Sequence, residues 1–295
     1  MKNSQIIGTA LIALTLLTAC NSNGEKADGY GNFEATEITV SAENTGKLLD
    51  FQVDEGTVLE QNAFVGYIDT IPLYLKKEQL FVQKNLISAK SKGVLSQINI
   101  FQSKLKTTNT NKARIENLIK DNAGTQKQLD DINGEIAVLK SNIRSIELQN
   151  APVVNELKSI DVQLQQLNDQ IAKSNIINPI QGTVLSKYAE AGEIVSFGKP
   201  LYKIADLSLM ELRVYISETQ LANIKIGQEV SVKIDDKDGM KSFNGTVSWI
   251  ASQAEFTPKI IQTKEERTAL VYALKVLVKN DGSLKIGMPA EMWVN

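Results

Sequence analysis

Thr45–Ile68 reads TGKLLDFQVDEGTVLEQNAFVGYI, and Gln181–Ile204 reads QGTVLSKYAEAGEIVSFGKPLYKI. The two stretches are one pattern written twice. Gly46 aligns with Gly182 and Gly56 with Gly192, while Leu48 falls on Val184, Val58 on Ile194, Val65 on Leu201 and Ile68 on Ile204. Between the turn glycines each stretch alternates apolar and polar residues, which is the period of half-buried strands. A half of this size exposes one apolar face and has nothing of its own to bury it against. The repeat therefore predicts two related halves that close over each other as a small β-sandwich, with a long insertion between them.

The insertion is helical. Leu129, Ile132, Ile136, Leu139, Ile143, Ile146, Val153, Leu157, Ile160, Leu164, Leu167 and Ile171 recur in alternating three- and four-residue steps, interrupted only by Asn150. That is a coiled-coil seam. An earlier arm carries Leu73, Leu80, Ile87, Val94, Phe101 and Ile115 at seven-residue spacing, with Thr108 the polar exception. Its companion positions are mixed: Ile98, Leu105 and Ile119 are apolar, but Lys77, Lys84, Ser91 and Lys112 are not. Between the arms stands Asp121-Asn122-Ala123-Gly124, a run of turn formers almost midway along the pattern. The spacing predicts an antiparallel hairpin over 72–174, folded back at 121–125, each arm roughly 70 Å long at the α-helical rise. Pro152 should kink or locally break the returning arm, because it lacks the helical N–H and crowds the preceding turn.

The C-terminal stretch is a series of short alternating strands: Leu212, Val214 and Ile216; Val230, Val232 and Ile234; Leu270, Tyr272, Leu274, Val276 and Val278. Turn signals at Asp238-Gly239, Asn244-Gly245 and Asp281-Gly282 separate them. Ser217 with Gln220 reads as a capping box opening one short helix. The pattern predicts a small β-barrel or sandwich, to which a strand from Phe33 to Ile38 adds.

The N-terminus reads as a targeting segment. Lys2 precedes an apolar run, Ile6 to Leu17, too short to span a bilayer. Leu17-Thr18-Ala19-Cys20 closes it, and Cys20 is the one cysteine of the chain. Cleavage after Ala19 is one reading; a lipobox, with Cys20 lipidated as the first mature residue, is the sharper one, since a lone exported thiol is otherwise a reactive remnant. The polar, glycine-rich stretch that follows reads as a tether. The expected organisation is a signal peptide (1–19), tether (20–32), first barrel strand and first half-repeat (33–71), hairpin (72–174), second half-repeat (175–207) and β-barrel (208–295), an α+β chain.

Composition narrows the function classes. A formal net charge of −2 gives no basic footprint for nucleic acid. The chain has no histidine, which removes Ser-His and Cys-His nucleophilic machinery and the commonest metal ligand. No phosphate-cradling glycine loop is present. The composition points away from an enzyme and implies no cofactor.

A split sandwich interrupted by a helical hairpin and followed by a barrel resembles the HlyD-like periplasmic adaptor (membrane fusion protein) family. Glu43-Asn44-Thr45-Gly46-Lys47 with Val53-Asp54-Glu55-Gly56-Thr57-Val58 is similar to the first lipoyl half of that family. Asn178-Pro179-Ile180-Gln181-Gly182-Thr183-Val184 with Ala191-Gly192-Glu193-Ile194-Val195 is similar to the second. Phe256-Thr257-Pro258-Lys259, Gln262-Thr263-Lys264-Glu265-Glu266-Arg267 and Leu284-Lys285-Ile286-Gly287-Met288-Pro289-Ala290 resemble the barrel of adaptors serving ABC-type exporters. True lipoyl and biotin carriers share the half-repeat, but they place a modifiable lysine on the tight turn between the halves, and here the hairpin replaces that turn.

The resemblance implies a lipid-anchored, periplasm-facing adaptor in a two-membrane bacterium. It would link an inner-membrane transporter, of ABC type, to a TolC-like outer-membrane channel, and would assemble as a hexameric ring. An RND or major-facilitator pump in place of the ABC transporter is the alternative within the family, and an envelope scaffold lipoprotein the alternative outside it. In the family, an Arg, a Leu four residues on and a Ser seven further dock onto the channel; Arg114, Leu118 and Thr125 stand at that spacing, with Thr in place of Ser. The loop at Gly192 aligns with one that faces the ring axis, where Glu193 would contribute a ring of carboxylates that repel one another and titrate high.

Overall fold

The computed structural model describes residues 27–237, 239–256 and 270–294. It divides into two compact units, one of Ile38–Ala205 and one joining the residues up to Glu37 with those from Asp206 onward.

The first unit holds both half-repeats. Strands β2 (Glu37–Ser41), β3 (Gly46–Phe51), β4 (Val58–Leu59) and β5 (Phe64–Ile68) precede the hairpin, and β6 (Asn175–Ile177), β7 (Gly182–Lys187), β8 (Ile194–Val195) and β9 (Pro200–Ala205) follow it. They form two four-stranded sheets, ordered β2-β9-β7-β4 and β6-β5-β3-β8. Exchanging the halves (β2 with β6, β3 with β7, β4 with β8, β5 with β9) turns one order into the other, so the sequence repeat is a pseudo-twofold axis in space. Each sheet mixes strands from both halves, which is why neither can fold without its partner. Three of the four apolar pairs matched in the repeat, Leu48 with Val184, Val65 with Leu201 and Ile68 with Ile204, lie in the shared core, whereas the fourth, Val58 with Ile194, is exposed. Gly56 and Gly192 both take positive φ, 82° and 96°, the left-handed turn that glycine adopts without a Cβ penalty.

The hairpin leaves between β5 and β6, which pair with each other. Helix α1 spans Ile71–Lys120 and α2 spans Gln126–Lys173, so each arm is about 70–75 Å long. Every residue of the returning seam is buried or half-buried, and so are Leu73, Leu80, Ile87, Val94, Phe101 and Ile115 opposite it. The polar positions of the first arm find polar company. Lys84 pairs with Asp161 at 2.7 Å, the Ser91 hydroxyl donates to Asn150 Oδ1 at 3.1 Å, and Thr108 is buried near Glu135. Of the kink or local break expected at Pro152, the break does not occur: α2 continues through it, and Val153, Leu157 and Ile160 directly after it are packed against Leu80 and Ile87 and hold the helix together.

The second unit is an antiparallel barrel. Its strands are β1 (Gly29–Glu34), β10 (Leu209–Ile216), β11 (Glu229–Asp236), β12 (Gly239–Ile250), β13 (Glu255–Phe256), β14 (Leu270–Lys279) and β15 (Pro289–Val294). The order is β10-β1-β15-β11-β12-β14-β13, and a further β10–β14 pairing closes the sheet. Phe33, Leu212, Val214, Val232, Val276 and Met292 fill its interior. Residues 29–32, expected to be tether, are instead the start of β1, and the strand expected over Phe33–Ile38 is two: β1 in the barrel and β2 in the sandwich. A short helix α3 (Glu218–Leu221) opens with the capping box of Ser217 and Gln220. Residues 257–267 of the barrel motif and the whole signal and lipobox segment, Cys20 included, lie outside the described residues.

Candidate functional site

The hairpin tip is built by two complementary helix ends. At the end of α1, Asn122 takes φ 57°, its N–H donates to Ile119 O, and the N–H of Ala123 donates to Leu118 O at 2.8 Å. This pair of bonds is a Schellman closure, with asparagine serving the left-handed position that is more often glycine. Gly124 follows for a different reason: a Cβ there would stand 3.0 Å from Ile119 N and 3.2 Å from Leu118 C, a crowding that glycine avoids without any shift of the α1 end. Thr125 then caps α2. Its hydroxyl accepts from Gln128 N at 3.3 Å, and Gln128 Oε1 accepts from Thr125 N at 2.9 Å, a reciprocal capping box.

Leu118 and Arg114 are one turn apart on α1 and share a face. Leu118 is 48% exposed, whereas Ile115 and Ile119 turn inward beside it. Arg114 is exposed and its guanidinium donates to Asn111 Oδ1 at 3.4 Å within the same helix. The three tip residues therefore present an apolar side chain, a cation and a capping hydroxyl around a turn closed by the Schellman bonds and the capping box. Thr125 carries a structural role that its spacing alone did not reveal.

Glu193 sits in the turn after Gly192. Its carboxylate accepts from Lys199 Nζ at 2.7 Å, and its carbonyl accepts from Leu48 N at 2.8 Å. The Lys199 hydrogen bond and charge hold its carboxyl below the usual glutamate range. In the single chain this is opposite in sign to the raised value expected for a ring of carboxylates, because Lys199, six residues on, pairs with the carboxylate. Ile194 and Phe197, in the same loop, are among the most exposed large apolar side chains of the chain.

Two groups of residues join the halves and the hairpin without a distinctive sequence signal. Asn178 is fully buried; its amide donates to Glu60 O at 2.8 Å and to Ile180 O, and its Oδ1 accepts from the Tyr202 hydroxyl at 2.9 Å. Burial pushes the Tyr202 phenol up to about 12. At the hairpin base, the Asn44 amide donates to Gln170 O at 2.6 Å and to Ser174 Oγ at 3.0 Å, tying α2 to the β2–β3 loop. Both asparagines fall inside the lipoyl-like motifs, but only as letters in a run.

Among the described residues no cluster of acidic or sulfur side chains could hold a metal ion, and no helix is long and apolar enough to cross a membrane. No protein-family model matches the chain. The structure of MacA from Actinobacillus actinomycetemcomitans superposes with a TM-score of 0.56, at 19% identity, over 90% of this chain and 76% of that one. The chain has the HlyD-like membrane fusion fold. A MacA–MexA chimera carrying the Pseudomonas aeruginosa MexA α-hairpin domain shares the fold with a TM-score of 0.51 and 21% identity, covering 90% of this chain and 78% of that one. In sequence, the chain is 26% identical to a UPF0194 membrane protein of Yersinia pseudotuberculosis serotype O:3, over 98% of both chains. It is 23% identical to the UPF0194 membrane protein YbhG of Salmonella gallinarum, over its full length and 98% of that protein. Within the membrane fusion fold the tip of the hairpin is the element farthest along the chain from the sandwich, and it is where the exposed Leu118 lies.

Proposed function

We propose that this protein is a non-enzymatic adaptor of a tripartite export system, linking an inner-membrane transporter of ABC type to a TolC-like outer-membrane channel. The observation that carries the reading is the tip: Leu118 stands half-exposed beside a turn closed by the Asn122–Ile119 and Ala123–Leu118 main-chain bonds, with Arg114 one helical turn away. A turn closed by its own hydrogen bonds is preorganised, so an apolar contact made there loses little to ordering. Leu118 supplies the apolar contact, Arg114 a charge-assisted hydrogen bond, and Thr125 holds the start of α2 in place. The lipid on Cys20 anchors the chain to the inner membrane, the barrel meets the transporter, and copies assemble as a hexameric ring in which Glu193 faces the axis.

The test is export by single-site variants. Truncating an anchor at the centre of an interface typically costs about 1–3 kcal/mol, and multivalency multiplies a small loss per copy. Leu118→Ser and Arg114→Ala should each abolish export while helix content and thermal stability stay at the level of the unsubstituted protein. Export that survives both substitutions would refute the docking role.

A further inference from the structure

The two helices of the hairpin are weak at the same level. Leu80, Ile87, Val153, Leu157, Ile160 and Leu164 form one packed cluster on the base side, and it stops there. In place of an apolar layer, the Ser91 hydroxyl donates to Asn150 Oδ1 at 3.1 Å. Gly93 and Pro152 each follow a member of that rung by two residues. The helices are antiparallel, so Gly93 stands about 3 Å to the tip side of the rung and Pro152 about 3 Å to the base side. Both are exposed. A Cβ added at Gly93 would meet nothing within 4 Å, and its φ is not positive, so neither packing nor a left-handed turn calls for glycine. What glycine does in a helix is loosen the backbone and open it to water. Pro152 has no N–H for the Leu148 carbonyl and crowds it. Proline and glycine are residues at which long helices bend.

We propose that this level is a hinge, at which the distal part of the hairpin, Gly93–Lys120 with Gln126–Ala151, swings as a unit on a fixed stem. Bending a coiled coil is costly where it opens an apolar layer, because a cavity is left. Here the layer is a single hydrogen bond, which water replaces as the arms part. The Leu148 carbonyl and the backbone at Gly93 turn toward water without breaking a packed contact. On either side the arms are held together. Lys84 pairs with Asp161 at 2.7 Å in the stem, and Ile98, Ile132, Ile136 and Leu139 are buried in the distal part. The distal arm is roughly 40 Å long, so a bend of about 20° carries the tip sideways by roughly 14 Å.

The use of the hinge rests on the docking role proposed above. A tip closed by its own hydrogen bonds presents Leu118 and Arg114 in one fixed arrangement and cannot reshape itself around a partner. Movement lower in the hairpin brings that arrangement to the channel unchanged.

The test compares the full-length chain with the double variant Gly93→Ala, Pro152→Ala, which restores the missing helical N–H and has room for the added methyl. By hydrogen exchange of the purified unsubstituted chain in detergent, peptides covering 92–98 and 148–155 should exchange several-fold faster than those covering 80–87 and 157–164. They should also exchange faster than 136–143, which lies nearer the tip, so that fraying from the tip is not the cause. The double variant should lose this difference and melt several degrees higher. In cells making the transporter and the channel, a photo-crosslinking residue at Ala123 should give several-fold less channel product in the double variant. Protection that falls evenly from base to tip, a lower melting temperature in the double variant, or undiminished crosslinking would each overturn the hinge. Leu118→Ser separates the two readings: it should leave the exchange pattern unchanged while removing the channel product. Exchange localised at the rung in a chain whose tip gives no channel product would sink the docking role and leave the hinge standing.

Discussion

Ser91 donates its hydroxyl to Asn150 Oδ1 at 3.1 Å across the inside of the hairpin, at a level where the seam would otherwise be apolar. Ser91 is buried and Asn150 half-buried, so the pair forms a polar rung between Ile87 and Val153 on one side and Ile98 on the other. A polar rung in a coiled coil fixes which residues lie opposite each other, at a cost in stability. Asn150→Ala should lower the unfolding free energy by about 1–3 kcal/mol, because it strands the buried serine. Replacing both residues by leucine should recover that loss or exceed it. Denaturant titrations of the two singles and the double form the cycle that measures the coupling.

The Tyr202–Asn178 contact makes a prediction at high pH. The phenol is pushed up to about 12, above the ordinary tyrosine value of 10, by burial. A group with a raised pKa in the fold contributes stability that is complete below its unfolded value and is lost as pH climbs through the folded one. The protein should therefore lose stability between pH 10 and pH 12, and the difference between it and Tyr202→Phe should shrink over that window. At neutral pH Tyr202→Phe should cost about 1–3 kcal/mol, since Asn178 Oδ1 loses its donor. Urea midpoints of both proteins at stepped pH provide the check.

Glu193 discriminates a lone chain from an assembled ring. In the single chain Lys199 holds its carboxyl below the usual range, so the ion pair is complete above the ordinary glutamate pKa and is lost as pH falls through the depressed one. Were six copies to bring their carboxylates together, mutual repulsion would act in the other direction. Titration of the Glu193 side-chain carbonyl by NMR should give a depressed value in monomer and a higher one in the assembled state. An identical value in both would place Glu193 away from any shared axis.

The hairpin and the split sandwich were legible because their periods are unambiguous: the heptad steps of Leu129–Ile171 and the strand alternation of the paired halves each admit one burial pattern. The left-handed turns at Gly56 and Gly192 follow from glycines repeated at matching positions. Three features were not legible. Gly29–Asn32 joins β1 because the barrel supplies hydrogen-bonding partners on both sides, and nothing local outweighs its glycines. Helix α2 runs through Pro152 because the packing of Val153 and Ile160 outweighs the lost backbone bond. Asn178 gave no signal, since a buried asparagine bridging both halves and a loop asparagine are the same letter. At the tip, the turn was readable from Asp121-Asn122-Ala123-Gly124, but the capping duty of Thr125 became visible only with Gln128 placed beside it.

The central claim is that the hairpin tip meets an outer-membrane channel, and proximity crosslinking tests it most directly. Ala123 is exposed and takes part in the Schellman closure through its main-chain N–H alone, so a photo-crosslinking side chain there leaves both helix ends their hydrogen bonds. In cells making the transporter and the channel, the account predicts that Ala123 crosslinks to the periplasmic helices of the channel and that Leu118→Ser removes the product. Crosslinks that form only to the transporter, or that persist undiminished with Leu118→Ser, would contradict it.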